Sequence, residues 1–393
     1  MRSEFLPFAP PLIGEEEIEE VVRTLRSGWI TTGARAADFE KAFAAYVGAE
    51  SALALNSATS AMHVALAVLG IGHGDSVITS AMTFVSTAHV IEHQHARTTL
   101  VDVQPDTLNL DPDQVERAIK RNSKVKAIIP VHLYGHPAEM DAIYAIAARH
   151  GVAVVEDAAH AFPARYQGRL IGAPVAGFDQ PNLVAFSFYA TKNLTTGEGG
   201  MLTGSPELID EARVWSLHGM SRDAHRRYTS AGSWRYDVTV PGFKYNLPDV
   251  LAAVGLHQLK RIDTMQERRR AIVAQYDEAL SGIDALQTPV ARPDVDSAWH
   301  IYLLRLHLER LRVDRDQFVE ELRKRNIGAS VHFIPLHLHT YYRERYGFQP
   351  ADFPVAQREF ERMLSLPLSP AHSDADIADV IEAVTEVCRE FSA

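Results

Sequence analysis

The sequence predicts an α/β protein, a large domain built on a mainly parallel mixed sheet followed by a smaller α+β domain. Three observations carry this. Between about residues 50 and 205, short runs rich in Val and Ile alternate with helical stretches, the rhythm of repeated strand–helix units. Those runs are continuously apolar, as strands buried on both faces must be. After about residue 260 the rhythm stops, and helices and strands follow without tight alternation. At 393 residues the chain has room for two domains of roughly 100–200 residues each. The division is placed after residue 255, giving 1–255 with an N-terminal arm and 256–393 at the C-terminus.

The elements follow in order. Pro7 to Pro11 reads as an extended arm. Ile18, Val21, Val22 and Leu25 fall at helical spacing and predict a helix over Glu15–Arg26 with one apolar face. Glu15, Glu16 and Glu17 occupy its first turn, where the helix dipole favours anions. Ser27 to Gly33 is a polar loop containing Trp29. Strands are predicted at Ser76–Thr79, Thr99–Val103, Ala127–Val131 and Val152–Glu156, and helices at Ser60–Leu69 and Glu139–Ala148. In the second domain, Leu259–Leu280 reads as one long charged helix. Trp299–Leu306 reads as a strand, Asp314–Arg325 as a helix and Ala375–Phe391 as a last helix. Ser373 with Asp376 predicts a capping box for that helix.

Composition narrows the function classes. The net charge of −11 argues against a nucleic-acid-binding face, while leaving room for a local anion site. Cys388, the sole cysteine, permits no intramolecular disulfide and no thiolate cluster, which fits a reducing compartment. Its place beside Ile377, Val380, Ile381 and Val384 makes it a small core residue. No run approaches the ~18 apolar residues of a membrane span, and the first residues lack the apolar core of a signal peptide. The expected location is the cytoplasm. His89, His93 and His95 have a spacing a metal could use, but no accompanying motif supports it, and no metal is expected.

Four segments hold candidate chemistry. Asn56–Ser60 follows an apolar run and opens a helix. It reads either as an ordinary N-cap or as a phosphate site on exposed backbone amides. Glu156 to His160 ends a buried strand, at the edge where open α/β sheets bind ligands. Its carboxylates are a buried ion pair, a cap or part of a site. Ala185–Leu194 leads a strand-like run directly into Lys192, ahead of Gly197-Glu198-Gly199-Gly200. Such glycines permit close approach of backbone to a ligand, and a lysine in apolar surroundings becomes a nucleophilic amine. Gly242–Asn246, alone, is a polar turn.

In this order the four segments resemble the DegT/StrS family of nucleotide-sugar aminotransferases. Ser187 to Asn193 with Gly197 to Gly200 is the most specific piece. The likeness runs from Gly28–Gly33 to Val331–His337. Around Pro241–Asn246 it is closest to the group that makes UDP-4-amino-4-deoxy-L-arabinose. The resemblance implies the aspartate-aminotransferase type of pyridoxal 5'-phosphate (PLP) fold and a homodimer with shared active sites. It implies Lys192 as the PLP anchor and general acid/base, and Asp157 as partner of the pyridine nitrogen. His160 would lie near the ring and Phe84 would stack on it. Ser187 and the backbone of Ala58 and Thr59 would hold the phosphate, with Asn246 supplied by the partner subunit. Trp29, His332 and His337 are candidates for the sugar-nucleotide side. The implied reaction moves an amino group from L-glutamate to a keto carbon, C4, of a nucleotide-linked deoxy sugar. A C3-keto sugar, a keto-inositol and a non-catalytic regulator are the other readings. Lys192 argues against the branch that removes a sugar hydroxyl with a histidine in its place. Ala58, where many relatives have glycine, and Pro163 depart from the family pattern.

Overall fold

The computed structural model describes residues 2–220 and 236–393. Helix α1 (Glu15–Ser27) ends on Gly28, whose φ of 77° is the left-handed conformation that glycine adopts most easily. Then come α2 (Ala34–Val47), β1 (Ser51–Leu55), α3 (Ala58–Val68), β2 (Ser76–Ser80), α4 (Val85–His93) and β3 (Arg97–Val101). The rhythm continues through α5 (Pro112–Arg121), β4 (Val125–Ile129), α6 (Met140–His150) and β5 (Ala153–Asp157). A short hairpin, β6 (Arg165–Tyr166) and β7 (Arg169–Leu170), precedes β8 (Asn182–Ser187), β9 (Gly200–Gly204) and α7 (Pro206–Ser216).

Seven strands form one sheet in the order β1-β9-β8-β5-β4-β2-β3. The pairs β8–β5, β5–β4, β4–β2 and β2–β3 are parallel, and β9 runs antiparallel to both β1 and β8. Successive side chains alternate between faces. Ile128, Val154 and Phe186 pack with Phe39 and Phe43 in one core, and Ile129, Val155 and Ala185 pack with Met62 and Leu66 in another. Both faces are covered, which is why the strands read as unbroken apolar runs.

The C-terminal part holds α8 (Asp249–Lys260), α9 (Ile262–Leu280), β10 (Leu286–Gln287), β11 (Val295–Asp296) and β12 (Tyr302–Leu306). It continues with α10 (Arg315–Lys324), α11 (Thr340–Tyr346), α12 (Pro354–Arg362), β13 (Met363–Leu366) and α13 (Asp374–Glu390). A three-stranded antiparallel sheet, β10-β12-β13, packs Tyr302, Leu304 and Leu366 against Tyr276, Phe318 and Val384. Cys388 is buried in this core. The capping box of α13 forms: the Asp376 amide donates to Ser373 Oγ at 3.1 Å, and the Ser373 amide donates to Asp376 Oδ2 at 2.9 Å. The arm runs along this part, with the Gly328 amide donating to the Leu6 carbonyl and Ser369 Oγ donating to Pro10 O. Among the described residues no helix is long and apolar enough to cross a membrane.

Three sequence expectations are corrected. The stretch 259–280 is two helices that meet at Arg261, not one. Leu259 before the break and Ile262 and Met265 after it enter the same core, so the apolar periodicity gave no sign of it. Second, α1 does not turn its apolar face to the core of its own chain. Ile18 is 47% and Leu25 52% exposed, while Glu17, Glu20 and Thr24 are buried. The facing side of α8 is polar. Glu17 accepts from Gln258 at 2.9 Å and Arg261 at 2.6 Å, and His257 lies 3.5 Å from Glu20. Third, the strand expected at Trp299 begins at Tyr302, because Trp299 has φ 46° and cannot continue an extended run.

Candidate active site

The carboxyl ends of β1, β2, β4, β5 and β8 converge on one cavity of about 420 Å³. This is where an open α/β sheet places ligands.

Strand alternation separates the two carboxylates that end β5. Glu156 turns into the interior, where it is held by His132 Nε2 at 2.9 Å, by Asn182 at 3.1 Å and by the Tyr144 hydroxyl. Burial would raise its pKa, but these partners hold it below the ordinary carboxylate range. Asp157, one residue on, lines the cavity. Its Oδ2 accepts from Thr87 Oγ1 at 2.7 Å and its Oδ1 from the Ala159 amide at 3.1 Å. Burial pushes its pKa up, opposed by those two bonds and by the charge of Lys192.

Lys192 sits on a turn after β8, closed by its own amide donating to Tyr189 O at 2.9 Å. The Thr196 amide donates to Phe188 O and Thr195 Oγ1 donates to the same carbonyl, so the loop returns tightly to β9. Burial lowers the amine pKa to about 8, with Asp157 opposing the shift. A fraction of the amine is therefore unprotonated near neutral pH, as a nucleophile or base requires.

At the start of α3 the N-cap reading holds, and the first turn also borders the cavity. Ser57 caps the helix, its Oγ accepting from the Ser60 amide at 3.0 Å. Ala58 and Thr59 line the cavity in the first turn, where amides lack an intrahelical acceptor. A Cβ on Gly200 would lie 2.4 Å from the Ser57 carbonyl carbon and 2.6 Å from the Ala58 nitrogen. Only glycine admits this approach. Gly200 in turn pairs with Ser187 at the end of β8, which brings that hydroxyl to the same wall.

Phe84, 53% exposed, stands at the cavity with its ring centroid 5.5 Å from Phe333. His160 is buried, stacked at 5.6 Å on Phe333, and its Nδ1 accepts from the Tyr134 amide at 3.3 Å. Burial holds its pKa well below the usual histidine value. His332 also lines the cavity, stacked on Phe8 of the arm at 5.1 Å, with its pKa lowered by burial to about 4.

Three residues named from the sequence lie elsewhere in the protomer. Asn246 bridges Leu55 and donates to Thr32 Oγ1 at 2.6 Å, outside the cavity. Trp29 lines a second pocket with Arg35, Arg213 and Asp249. His337 is buried against Phe353, with Gln357 as its hydrogen-bond partner. The structure also adds residues that sequence reasoning missed: Thr87, His300, Tyr189 and Phe8. Tyr189 lies inside the Ser187–Asn193 segment but had been given no role there, and Thr87, His300 and Phe8 stand outside all four segments. The last three enter through the fold in three dimensions, and His300 arrives from 108 positions away.

The donor set fits PLP. A buried amine of lowered pKa faces a buried carboxylate, a helix N-terminus freed by Gly200 suits a phosphate, and aromatic rings form the walls.

Comparison with known proteins agrees. The DegT/DnrJ/EryC1/StrS aminotransferase family model matches residues 11–385. The chain is 50% identical over 390 residues to the spore coat polysaccharide biosynthesis protein SpsC of Bacillus subtilis, covering 99% of this chain and 98% of the relative. Among solved structures it is similar to Spr1654 from Streptococcus pneumoniae in its PLP form, with TM-score 0.89, 35% identity, and coverage of 98% and 99% of the two chains. It is also similar to the sugar aminotransferase CalS13 from Micromonospora echinospora, with TM-score 0.85, 27% identity, and coverage of 97% and 99%.

Proposed function

The chain belongs to the DegT/DnrJ/EryC1/StrS aminotransferase family, and on that footing we propose that this PLP-dependent sugar aminotransferase moves the amino group of L-glutamate to C4 of a nucleotide-linked keto-deoxy sugar. The observation that carries the reading is Lys192, a buried amine of lowered pKa in the cavity that also holds Asp157. A binding module has no need of a nucleophile set beside such a carboxylate. The C4 assignment, and with it a likeness to the UDP-4-amino-4-deoxy-L-arabinose group, is supported by Pro241–Asn246.

PLP, when bound, supplies the electron sink that makes a C–H bond beside nitrogen breakable. Lys192 Nζ would anchor it and, as a free amine, would take the proton from the donor's Cα. The same amine then serves the sugar in the opposite direction. Asp157 would face the pyridine nitrogen, and the hydrogen bonds from Thr87 and Ala159 favour its charged form. His160, neutral in its buried setting, packs beside the ring. Ala58, Thr59, Phe84, Ser187 and His332 all line the cavity; the amides of Ala58 and Thr59 with the Ser187 hydroxyl would hold the phosphate, Phe84 would cover the ring, and His332 would face the sugar.

The active unit is a homodimer. Ile18, Leu25, Trp29 and Ile30 form an exposed apolar strip on α1 and the loop after it. Asn246, Trp29 and His337 do not line their own chain's cavity, and Asn246 is assigned to the partner's phosphate. The test is a coupled assay with L-glutamate and a panel of UDP-, dTDP- and GDP-linked 4-keto-6-deoxy sugars, with the product solved by NMR. An amino group at C4 is expected. Amination at C3, or turnover confined to a keto-inositol, overturns the assignment.

A further inference from the structure

We propose that His300 is a positioning residue for Lys192: its unprotonated Nε2 accepts a hydrogen from the lysine amine and holds that amine over the cavity between proton transfers. The inference rests on the reading of Lys192 given above and deepens it.

A chain of amides fixes which nitrogen of His300 carries the hydrogen. The Gln266 side-chain amide donates to Ser297 O at 2.9 Å, which turns Gln266 Oε1 towards Asn193. Asn193 Nδ2 donates to Ala298 O at 2.6 Å, leaving its Oδ1 to face His300 Nδ1 at 3.1 Å. An amide oxygen only accepts, so Nδ1 is the protonated nitrogen and Nε2 carries the lone pair. That lone pair is 3.5 Å from Lys192 Nζ, a long contact that shortens when the amine is charged.

The surroundings keep the imidazole neutral. His300 is buried, and burial holds its pKa well below the histidine range, helped by Lys192, His160, Arg269 and His332 around it. Asp157 is the anion whose charge acts on the amine. The left-handed turn at Trp299 aims the ring, and Asn193, which locks it, is the neighbour of Lys192 in sequence. Lys192 and the residue that locks the imidazole are thus carried on one turn, while His300 comes from a distant segment. A lysine released from a covalent bond otherwise swings on four rotatable carbons, and misplacement of a reacting group is costly.

The experiment compares His300→Asn with His300→Gln. The glutamine oxygen reaches the place of Nε2, whereas the asparagine side chain ends near Nδ1. The measurements are kcat and KM of the holoenzyme, and the pH dependence of PLP uptake by cofactor-stripped enzyme. His300→Asn is expected to lower kcat about 100-fold with KM for the amino donor within about twofold. An acceptor favours the charged amine, so its loss moves the pH midpoint of PLP uptake downward. His300→Gln recovers most of both. Unchanged kcat and midpoint in His300→Asn overturn the proposal, as does a glutamine variant no better than the asparagine one. Should His300→Asn not fold, Asn193→Ala frees the ring to flip and must give a smaller loss in the same direction, and an unchanged kcat there overturns the proposal. Wild-type enzyme that takes up no PLP overturns the aminotransferase reading itself, whatever the variants do.

Discussion

Glu156 and Asp157 are neighbours of like charge, yet the alternation of β5 gives them separate tasks. Glu156 is fully partnered in the interior, while Asp157 keeps one edge towards the cavity. Asp157→Asn is expected to lower kcat about 10²–10³-fold, since a fixed charge facing a charged intermediate state is lost. Steady-state kinetics check this, and a fall below tenfold would sink the assigned role. Lys192→Ala should lose turnover by at least about 10²–10⁴-fold, the worth of a general acid/base, and normal turnover in that variant refutes the assignment. The lysine also predicts a pH effect on stability. Its pKa falls from 10.5 to about 8 on folding. Between these values the unfolded chain holds a proton at this amine that the folded chain has released, so the contribution of Lys192 to the stability of the cofactor-stripped enzyme rises with pH across that window. Below it the penalty is complete, on the order of 3 kcal/mol. Urea unfolding between about pH 8 and 10.5 measures the slope, which should be less positive in Lys192→Met than in the wild type by this contribution.

At the scale of elements, several ends are held by partners far away in sequence. The first amides of α2 are capped by Asp249, 216 residues from Gly33, 214 from Arg35 and 213 from Ala36. Asp249→Ala strips all three bonds at once and should destabilise by about 2–4 kcal/mol, above the usual range for one cap. Chemical denaturation decides it, and a loss below about 0.5 kcal/mol would show the cap to be idle. Gly200→Ala pushes β9 against the start of α3 and should weaken PLP binding while leaving the fold intact. Equilibrium titration with PLP tests this, and unchanged affinity would count against the phosphate cradle. The α1 helix shows what periodicity can and cannot say. The spacing of Ile18 to Leu25 correctly marked a helix and an apolar stripe, but not what the stripe faces.

For the whole molecule, that stripe argues for a second copy. Exposed large side chains at Ile18, Leu25, Trp29 and Ile30 lie on adjoining segments, and such a patch marks an association surface. Leu25→Asp combined with Ile18→Asp should convert a dimer to monomers in sedimentation velocity and abolish turnover, because each site draws on its partner. A monomeric wild-type enzyme would remove the shared-site proposal.

What the sequence determined by itself was local or periodic. The buried strands declared themselves because both faces are covered and the capping box at Ser373 because it spans three residues; Lys192 stood out as a candidate nucleophile because a glycine loop follows a strand, and the family resemblance made it a cofactor anchor. The split at Arg261, the polar bed under α1, the cap from Asp249 and the approach of His300 to Lys192 were decided only by tertiary structure. Each is a contact between segments distant along the chain. Neither residue type nor spacing records such a pairing, because the free energy that selects it comes from packing two surfaces whose meeting the whole fold arranges.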